Sequence, residues 1–153
     1  MAGIAASVGQ PDPDTGKPAA NVQTSARPRF AALKIGERSE HGGGIYAGVS
    51  RGLDGEADGH LFLLDDKPDD KLDWKAAVAW AESLGNGARL PTRFESALLY
   101  ANLQDQLDTE AWHWTGTQYS DSSAWGQYFN DGYQGNLTKS YEARARAVRR
   151  LVL

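Results

Sequence analysis

Hydrophobic and polar positions alternate in two short runs within the first half of this chain of 153 residues. Residues 45–50 and 60–65 are rich in β-branched, aromatic and aliphatic side chains, which predicts two short strands. The segment between them, residues 51–59, is acidic and contains glycine, as is typical of a turn. We therefore expect an antiparallel hairpin with a long turn.

Two helices are predicted after this hairpin. Asp73 is a suitable N-cap, and apolar residues then recur at helical spacing until Gly85, which predicts a helix over residues 73–84. Thr92 and Glu95 have the spacing of a capping box, which predicts a second helix over residues 92–103. The apolar positions expected to face the core are Trp74, Ala77, Val78, Ala81 and Leu84 in the first helix, and Phe94, Ala97, Leu98 and Ala101 in the second.

The carboxy-terminal part has the alternation of strands instead. Aromatic residues alternate with smaller polar ones around residues 112–117 and 125–129, and Asn130-Asp131-Gly132 is a strong turn signal. Residues 136–139 and 144–152 can supply two more strands, so we expect one antiparallel sheet over residues 112–152. Two helices followed by a run of strands predict an α+β fold, with the helices packed on antiparallel sheets. We assign four aromatic residues to its core: Trp112, Trp114, Trp125 and Phe129.

Residues 1–28 show no hydrophobic period and contain four of the six prolines. The sequence predicts a flexible amino-terminal arm over residues 1–28 and one globular domain over residues 29–153. Two alternatives stay open for the arm: a disordered tail, or a segment that docks on a larger particle or a neighbouring subunit.

Composition and charge exclude several classes of function. The formal net charge is −4, which argues against a general nucleic-acid-binding protein, and no apolar run is long enough for a membrane span. A secretory signal is not recognisable. Eight acidic residues lie within residues 54–73, whereas residues 139–150 are basic. These two segments either pair within the fold or leave a basic stripe for phosphate or an anionic glycan.

Metal and catalytic motifs are weak. The closest approach to a metal site is an acidic run with the oxygen-ligand spacing of a calcium loop, formed by Asp54, Glu56, Asp58 and Asp65. The third and twelfth positions depart from the EF-hand pattern and the flanks are predicted strands, so a solvated acidic turn is the alternative. The histidines lack zinc-ligand spacing, cysteine is absent, and nucleophile-elbow and phosphate-loop motifs are missing. We expect a protein that is not an enzyme and needs no cofactor.

A set of short motifs resembles a known family. They are Arg89-Leu90-Pro91-Thr92, Trp114-Thr115-Gly116-Thr117, Ser120, Ala124-Trp125, Phe129, Asp131-Gly132-Tyr133-Gln134, Lys139 and Arg146-Ala147-Val148-Arg149-Arg150. Over residues 45–151 the sequence resembles the Lcl carboxy-terminal-domain family, a former domain of unknown function found in phage and bacterial surface proteins. The resemblance implies a C-type lectin-like fold, similar to the variable proteins of diversity-generating retroelements such as the phage major tropism determinant. Unlike calcium-dependent lectins, this chain lacks disulfides and the Trp-Asn-Asp calcium tripeptide.

A recognition surface is expected in the same region. Tyrosines alternate there with Ser, Asp, Asn, Gly and Gln, a mixture found in antibody paratopes because Tyr offers rigid amphipathic contact area. The predicted ligand contacts are Tyr119, Asp121, Ser122, Tyr128, Asn130, Asp131, Tyr133, Gln134 and Asn136. Decoration of an exposed sheet and its turns is the alternative for these side chains.

We expect a receptor-binding domain of a phage or prophage, located on a virion tail fibre or the cell exterior, that binds a host-surface protein or glycan. The rival interpretation is a structural component of a virion or envelope without a ligand of its own. The resemblance to the tropism determinant also implies a homotrimer.

Overall fold

The computed structural model describes residues 33–153, of which residues 34–153 form one compact unit. The predicted arm, residues 1–28, lies outside the described residues. Helix α1 spans Trp74–Ser83 and helix α2 spans Arg93–Leu103, followed by a short 3-10 helix, Gln104–Gln106. The strands are β1 (Arg38–Ser39), β2 (Gly44–Ser50), β3 (Gly59–Leu63), β4 (Trp112–Gln118), β5 (Ser123–Tyr128), β6 (Gln134–Thr138) and β7 (Val148–Val152). The α+β class is confirmed.

The strands form two antiparallel sheets. The first sheet has the order β1-β2-β3-β7 and the second has the order β4-β5-β6. The hairpin expected over residues 45–65 is the β2–β3 pair. The single sheet expected over residues 112–152 is wrong, because β7 pairs with β3 in the first sheet, with Val148 opposite Leu63 and Val152 opposite Gly59. Val148 is fully buried there with the apolar side chains of β2, β3 and α2, which is the burial that fixes β7 in this sheet.

Both helices form where capping residues and apolar spacing predict them. The Asp73 carboxylate accepts a hydrogen bond from the Ala76 N–H at 2.9 Å and caps α1. The Thr92 hydroxyl accepts from the Glu95 N–H, and the Glu95 carboxylate accepts from the Thr92 N–H, so the predicted capping box is confirmed. Ala77 and Ala81 of α1 are buried, as expected.

The buried face of α2 differs from the prediction. Ser96, Leu99 and Leu103 face the core, whereas Phe94 is 64% exposed. Ala97 and Ala101, which share the face of Phe94, are exposed as well. Leu98, also predicted to face the core, is half-buried and packs against the cluster. Both rows of positions have helical spacing, but the row with Leu99 and Leu103 is the one fully buried against the apolar side chains of the first sheet.

The core has two clusters of apolar residues. One lies between α2 and the first sheet and contains Phe129 together with Leu61, Leu63 and Leu99. The other contains the fully buried Trp114, packed with the alanines of α1 and with three small residues of the segment between β6 and β7, namely Ala143, Ala145 and Ala147. Small residues in that segment let the backbone pass close under the helix.

The acidic and basic segments pair only in part. Arg150 lies 3.8 Å from Glu56, which is the ion pair expected between them. Arg144 instead pairs with Asp108, and Arg146 and Arg149 donate hydrogen bonds to backbone carbonyl groups. Helices among residues 33–153 are all too short or too polar to cross a membrane.

Candidate ligand-binding surface

The nine predicted contact residues lie along the second sheet but at two separate ends of it. Tyr119, Asp121 and Ser122 belong to the turn between β4 and β5, and Asn130, Asp131 and Tyr133 belong to the turn between β5 and β6. These turns lie at opposite ends of β5, a strand of six residues, and so are about 20 Å apart. Gln134 and Asn136 are on β6, which is at the edge of the sheet. The structure therefore does not gather the nine residues into one compact site.

One aromatic cluster lies at the β5–β6 turn. The Trp112 ring packs against Tyr128 and Tyr133, with centroid distances of 5.6 and 6.0 Å. Gly135 permits this packing, since a Cβ added there would lie 3.3 Å from Cε2 of Tyr133 and 3.5 Å from Cη2 of Trp112. Tyr133 is 64% exposed, so its ring is held by Trp112 and still faces solvent. We call Trp112, Tyr128 and Tyr133 the Trp112 cluster.

A second aromatic cluster lies towards the other end of the sheet. Tyr119, 57% exposed, meets the Trp125 ring edge-on at a centroid distance of 5.4 Å. The Arg93 guanidinium, at the start of α2, lies 3.5 Å from the centroid of the same indole ring. Such a stack combines a cation–π contact with apolar packing and holds both side chains in place. We call Tyr119, Trp125 and Arg93 the Trp125 cluster.

An open groove of about 380 Å³ connects the two clusters along β6. Its lining consists of Trp112, Trp125, Tyr133, Gln134, Gly135, Asn136 and Leu137. Three of the predicted contact residues, Tyr133, Gln134 and Asn136, therefore line one groove. Strand register places Trp112 and Tyr128 on one face of the sheet and Trp125, Gln134 and Asn136 on the other, so the groove runs around the β6 edge. A groove with aromatic walls and a few amide groups suits a ligand that has both apolar faces and hydrogen-bonding groups.

Hydrogen bonds fix the floor beneath this groove. Gln127 is fully buried and accepts a hydrogen bond from Gln134 Nε2 at 2.6 Å. Gln134 also donates to the Arg93 carbonyl and accepts from Arg93 Nε, at 2.7 and 3.0 Å. The buried amide oxygen of Gln127 is thus satisfied. Gln134 has most of its hydrogen-bonding capacity inside the protein, so its main effect is to position Arg93.

The turn residues are held by local bonds. The Asp131 carboxylate accepts from the Tyr133 N–H at 3.0 Å, an Asx turn that places the Tyr133 ring. The Asn130 carbonyl accepts from Gln104 at 3.2 Å, so this turn is attached to the end of α2. At the other end of the sheet, the Lys139 ammonium donates to the Asp121 carbonyl, and the Lys139 N–H donates to the Ser122 carbonyl. Asn130, Asp131, Asp121 and Ser122 themselves are exposed.

Of the four aromatic residues assigned to the core, Trp125 lies at this surface instead, and Trp112 packs against the core cluster of Trp114 but also reaches this surface. Trp114 and Phe129 are fully buried, but Trp112 and Trp125 are half-buried and line the groove. Trp112, Trp125 and Arg93 are therefore groove and cluster residues that the sequence pattern did not predict. Alternation identifies the two faces of a strand but not which of them is covered, and here the packing around the two rings covers each only in part.

An ion pair stabilises the start of α2, which carries Arg93. Glu95 is buried and accepts from Arg89 Nη1 and Nη2 at 2.6 and 2.9 Å. Burial by itself raises the pKa of Glu95, but the hydrogen bonds and charge of Arg89, with the Thr92 N–H, outweigh burial and lower that pKa below its usual value.

The calcium loop suggested by the acidic spacing does not form. The Asp58 carboxylate accepts from the Gly52 N–H, and Asp65 is held by two hydrogen bonds from Arg38 at the opposite end of β3. Asp54 and Glu56 are exposed within the β2–β3 loop. Among residues 33–153, acidic and histidine side chains nowhere form a group of three that could hold a metal ion. Asp54, Glu56 and Asp58 thus lie in a solvated acidic turn between β2 and β3.

Comparison with known proteins adds no relative. Models of known protein families do not match the chain, and a search of curated proteins finds no match. Arguments about function therefore depend on the geometry described above.

Proposed function

We propose that this protein is a ligand-recognition domain of the C-type lectin-like class, encoded by a phage or prophage, that binds a host-surface protein or glycan. The groove along β6 and the two aromatic clusters beside it form the binding surface. Recognition needs no chemistry from the protein, so the proposal assigns no catalytic residue and no cofactor.

The observation that carries the proposal is the exposure of tyrosines on a fixed tryptophan support. Tyr133 and Tyr119 each expose more than half of their surface beside a half-buried tryptophan, and contiguous exposed apolar surface bordered by polar residues is typical of interaction sites. Each ring rests on a tryptophan that is itself held by packing, so little side-chain entropy is lost when a ligand binds. Tyr and Trp residues of this kind dominate binding energies at interfaces.

The architecture is compatible with the family resemblance. Two helices, two antiparallel sheets and a carboxy-terminal strand that returns to the first sheet agree with a C-type lectin-like arrangement. Asp121, Ser122, Asn130, Asp131 and Asn136 add exposed amide, hydroxyl and carboxylate groups around the aromatic rings. This combination suits both protein surfaces and sugar rings, which present apolar faces bordered by hydroxyl groups.

A pair of tyrosine variants tests the proposal. Tyr133→Ala removes the exposed ring at the groove, and Tyr141→Ala removes an exposed tyrosine just beyond the opposite end of β6. Binding to host cells, and to arrays of host-surface proteins and glycans, should weaken about 30-fold for Tyr133→Ala if that ring contributes about 2 kcal/mol. Tyr141→Ala should bind like the parent, and a chelator should have little effect. Equal binding by Tyr133→Ala and the parent would remove this surface from consideration.

The assembly hypothesis makes the opposite prediction. A structural component would bury the Tyr133 surface between subunits, so Tyr133→Ala would dissociate the oligomer measured by light scattering. The recognition hypothesis expects the same oligomer, a homotrimer by resemblance, for parent and variant. In the genome, a neighbouring reverse transcriptase with an imperfect copy of the 3′ coding end would support a diversified receptor-binding protein.

A further inference from the structure

A second concave site lies away from the aromatic groove. This pocket of about 390 Å³ is formed by the 3-10 helix and the residues after it, the start of β4, the segment before β7, and the loop after β3. Three cationic side chains line it, Lys67, Arg144 and Arg146, together with two carboxylates, Asp105 and Asp108. The pocket shares no lining residue with the groove.

Arg146 is an unusual feature of this pocket because its charge is buried. The residue is only 8% exposed, and its Nη1 and Nη2 donate to the Gln106 and Leu64 carbonyls at 2.8 and 2.9 Å. Nε is buried and finds no hydrogen-bond partner. Among the described residues, every carboxylate lies more than 4.0 Å from this guanidinium, so Arg146 has no ion-pair partner there. A buried cation without an anionic partner is unfavourable, and a bound anion would relieve that cost.

The neighbouring charges do not provide this partner. Asp108 is engaged by Arg144 Nε at 3.2 Å and by the Glu110 N–H at 3.0 Å. Asp65, whose charge acts on Arg146 from a greater distance, is held by Arg38. His113 also lines the pocket, and burial lowers its pKa to about 4, so it is neutral at pH 7.

Three cations and two carboxylates therefore leave one positive charge in excess at the pocket wall. Arg144 and Asp108 pair with each other, so the charged groups that remain are two cations, Lys67 and Arg146, and one carboxylate, Asp105. Of the five guanidinium N–H groups of Arg146, the two carbonyls take one from each Nη, so one N–H on each Nη and the Nε–H remain for the oxygens of a carboxylate or phosphate group. The volume of the pocket is that of a small-molecule site.

We propose that this pocket binds an oxyanion of a small ligand, a carboxylate or a phosphate group, through Arg146 and Lys67. The inference goes beyond the proposed receptor-binding function and does not depend on it, because it uses a different surface. A ligand could occupy the pocket whether or not the aromatic groove binds a host molecule.

Nitrogen-15 NMR of the arginine Nε–H groups tests this directly on the full chain. The Arg146 Nε–H is shielded from water, so its signal should be observable at pH 7. Sodium phosphate and sodium acetate are titrated separately against sodium chloride at constant ionic strength. A saturable shift of the Arg146 signal with phosphate indicates a phosphate-bearing ligand, and one with acetate indicates a carboxylate. No saturable shift with either probe overturns the proposal.

A matched pair of lysine variants locates the binding. Lys67→Gln removes a cation from the pocket, and Lys71→Gln removes the same charge from an exposed position four residues further on, outside the lining. Lys67→Gln should weaken binding of the probe about 2- to 5-fold, the loss expected for an exposed ion pair. Lys71→Gln should leave it unchanged. Equal weakening by both variants would indicate a general effect of charge and would contradict a site at Arg146.

Discussion

Lowering the pH from 7 to 5 should destabilise this domain through a buried histidine, His113. The side chain is 4% exposed, its ring meets Phe129 edge-on at 4.8 Å, and Nδ1 lies within hydrogen-bonding distance of the Ala111 carbonyl, at 3.2 Å. Burial is the largest influence and lowers the pKa, and the positive charges of Arg146 and Arg144 act in the same direction. The Ala111 carbonyl and Asp108 oppose this shift, and the resulting pKa is about 4 instead of 6.5.

The size of the effect follows from proton linkage. The folded-state pKa is below the unfolded one, so stability is complete above pH 6.5 and falls as the pH decreases towards 4, because the unfolded chain takes up the proton first. At pH 5 the unfolded histidine, with its ordinary pKa of 6.5, is protonated, whereas the folded one, with a pKa of about 4, is still neutral. Each pH unit below 6.5 costs about 1.4 kcal/mol in this range, so His113 should reduce the free energy of unfolding by about 2 kcal/mol at pH 5. That is a substantial part of the stability of an ordinary domain.

Urea unfolding at pH 7 and pH 5 measures this loss. His60 also has a pKa lowered by burial, so the parent carries a contribution of the same sign from a second residue. A His113→Gln variant isolates the effect, because the difference between the two pH values should shrink by about 2 kcal/mol whatever the absolute stability of the variant. If parent and variant lose equal stability between pH 7 and pH 5, His113 is not held neutral by burial.

Two further predictions concern stability. Trp114→Ala should cost about 3–5 kcal/mol because the indole is fully buried and its Nε1 donates to the Leu72 carbonyl at 2.8 Å, whereas Trp125→Ala, on a half-exposed ring, should cost less than half as much. Chemical denaturation of both variants compares the two costs, and equal losses would contradict the difference in burial. Thr92→Ala should cost about 1 kcal/mol by removing the N-cap of α2, while Thr138→Ala, on an exposed strand position, serves as its control in the same assay. A similar small loss for both threonine variants would show that the cap contributes little.

Much of the local structure could be predicted from the sequence because its causes are local. The N-caps Asp73 and Thr92, the capping box with Glu95, and the turn at residues 130–132 each depend on residues close together in the chain. The β2–β3 hairpin likewise joins neighbouring segments. These elements form where the sequence predicts them, and Tyr133 and Tyr119, predicted as outward-facing side chains, are exposed in the fold.

Three features depended on contacts between distant parts of the chain. Strand β7 has the alternation of any strand, and only its fit against β3 and the buried cluster around Leu61 decides which sheet it joins. Helix α2 has two rows of apolar residues, and the position of the first sheet decides that Leu99 is buried and Phe94 is exposed. Trp125 alternates as a core residue would, yet Arg93 and Tyr119 cover its ring only in part, so that ring remains at the surface.

The pocket at Arg146 also separates what the sequence determines from what the tertiary structure determines. The sequence by itself determines that residues 139–150 are basic and that Arg144 and Arg146 alternate with alanines. Only the tertiary structure decides that Arg149 and Arg150, on the edge strand β7 of the first sheet, donate hydrogen bonds to Asn86 and Ser50. It also decides that Arg146 is buried beside a pocket. Charge is a property of each residue, but its burial depends on which distant backbone packs over it, and local patterns carry no information about that.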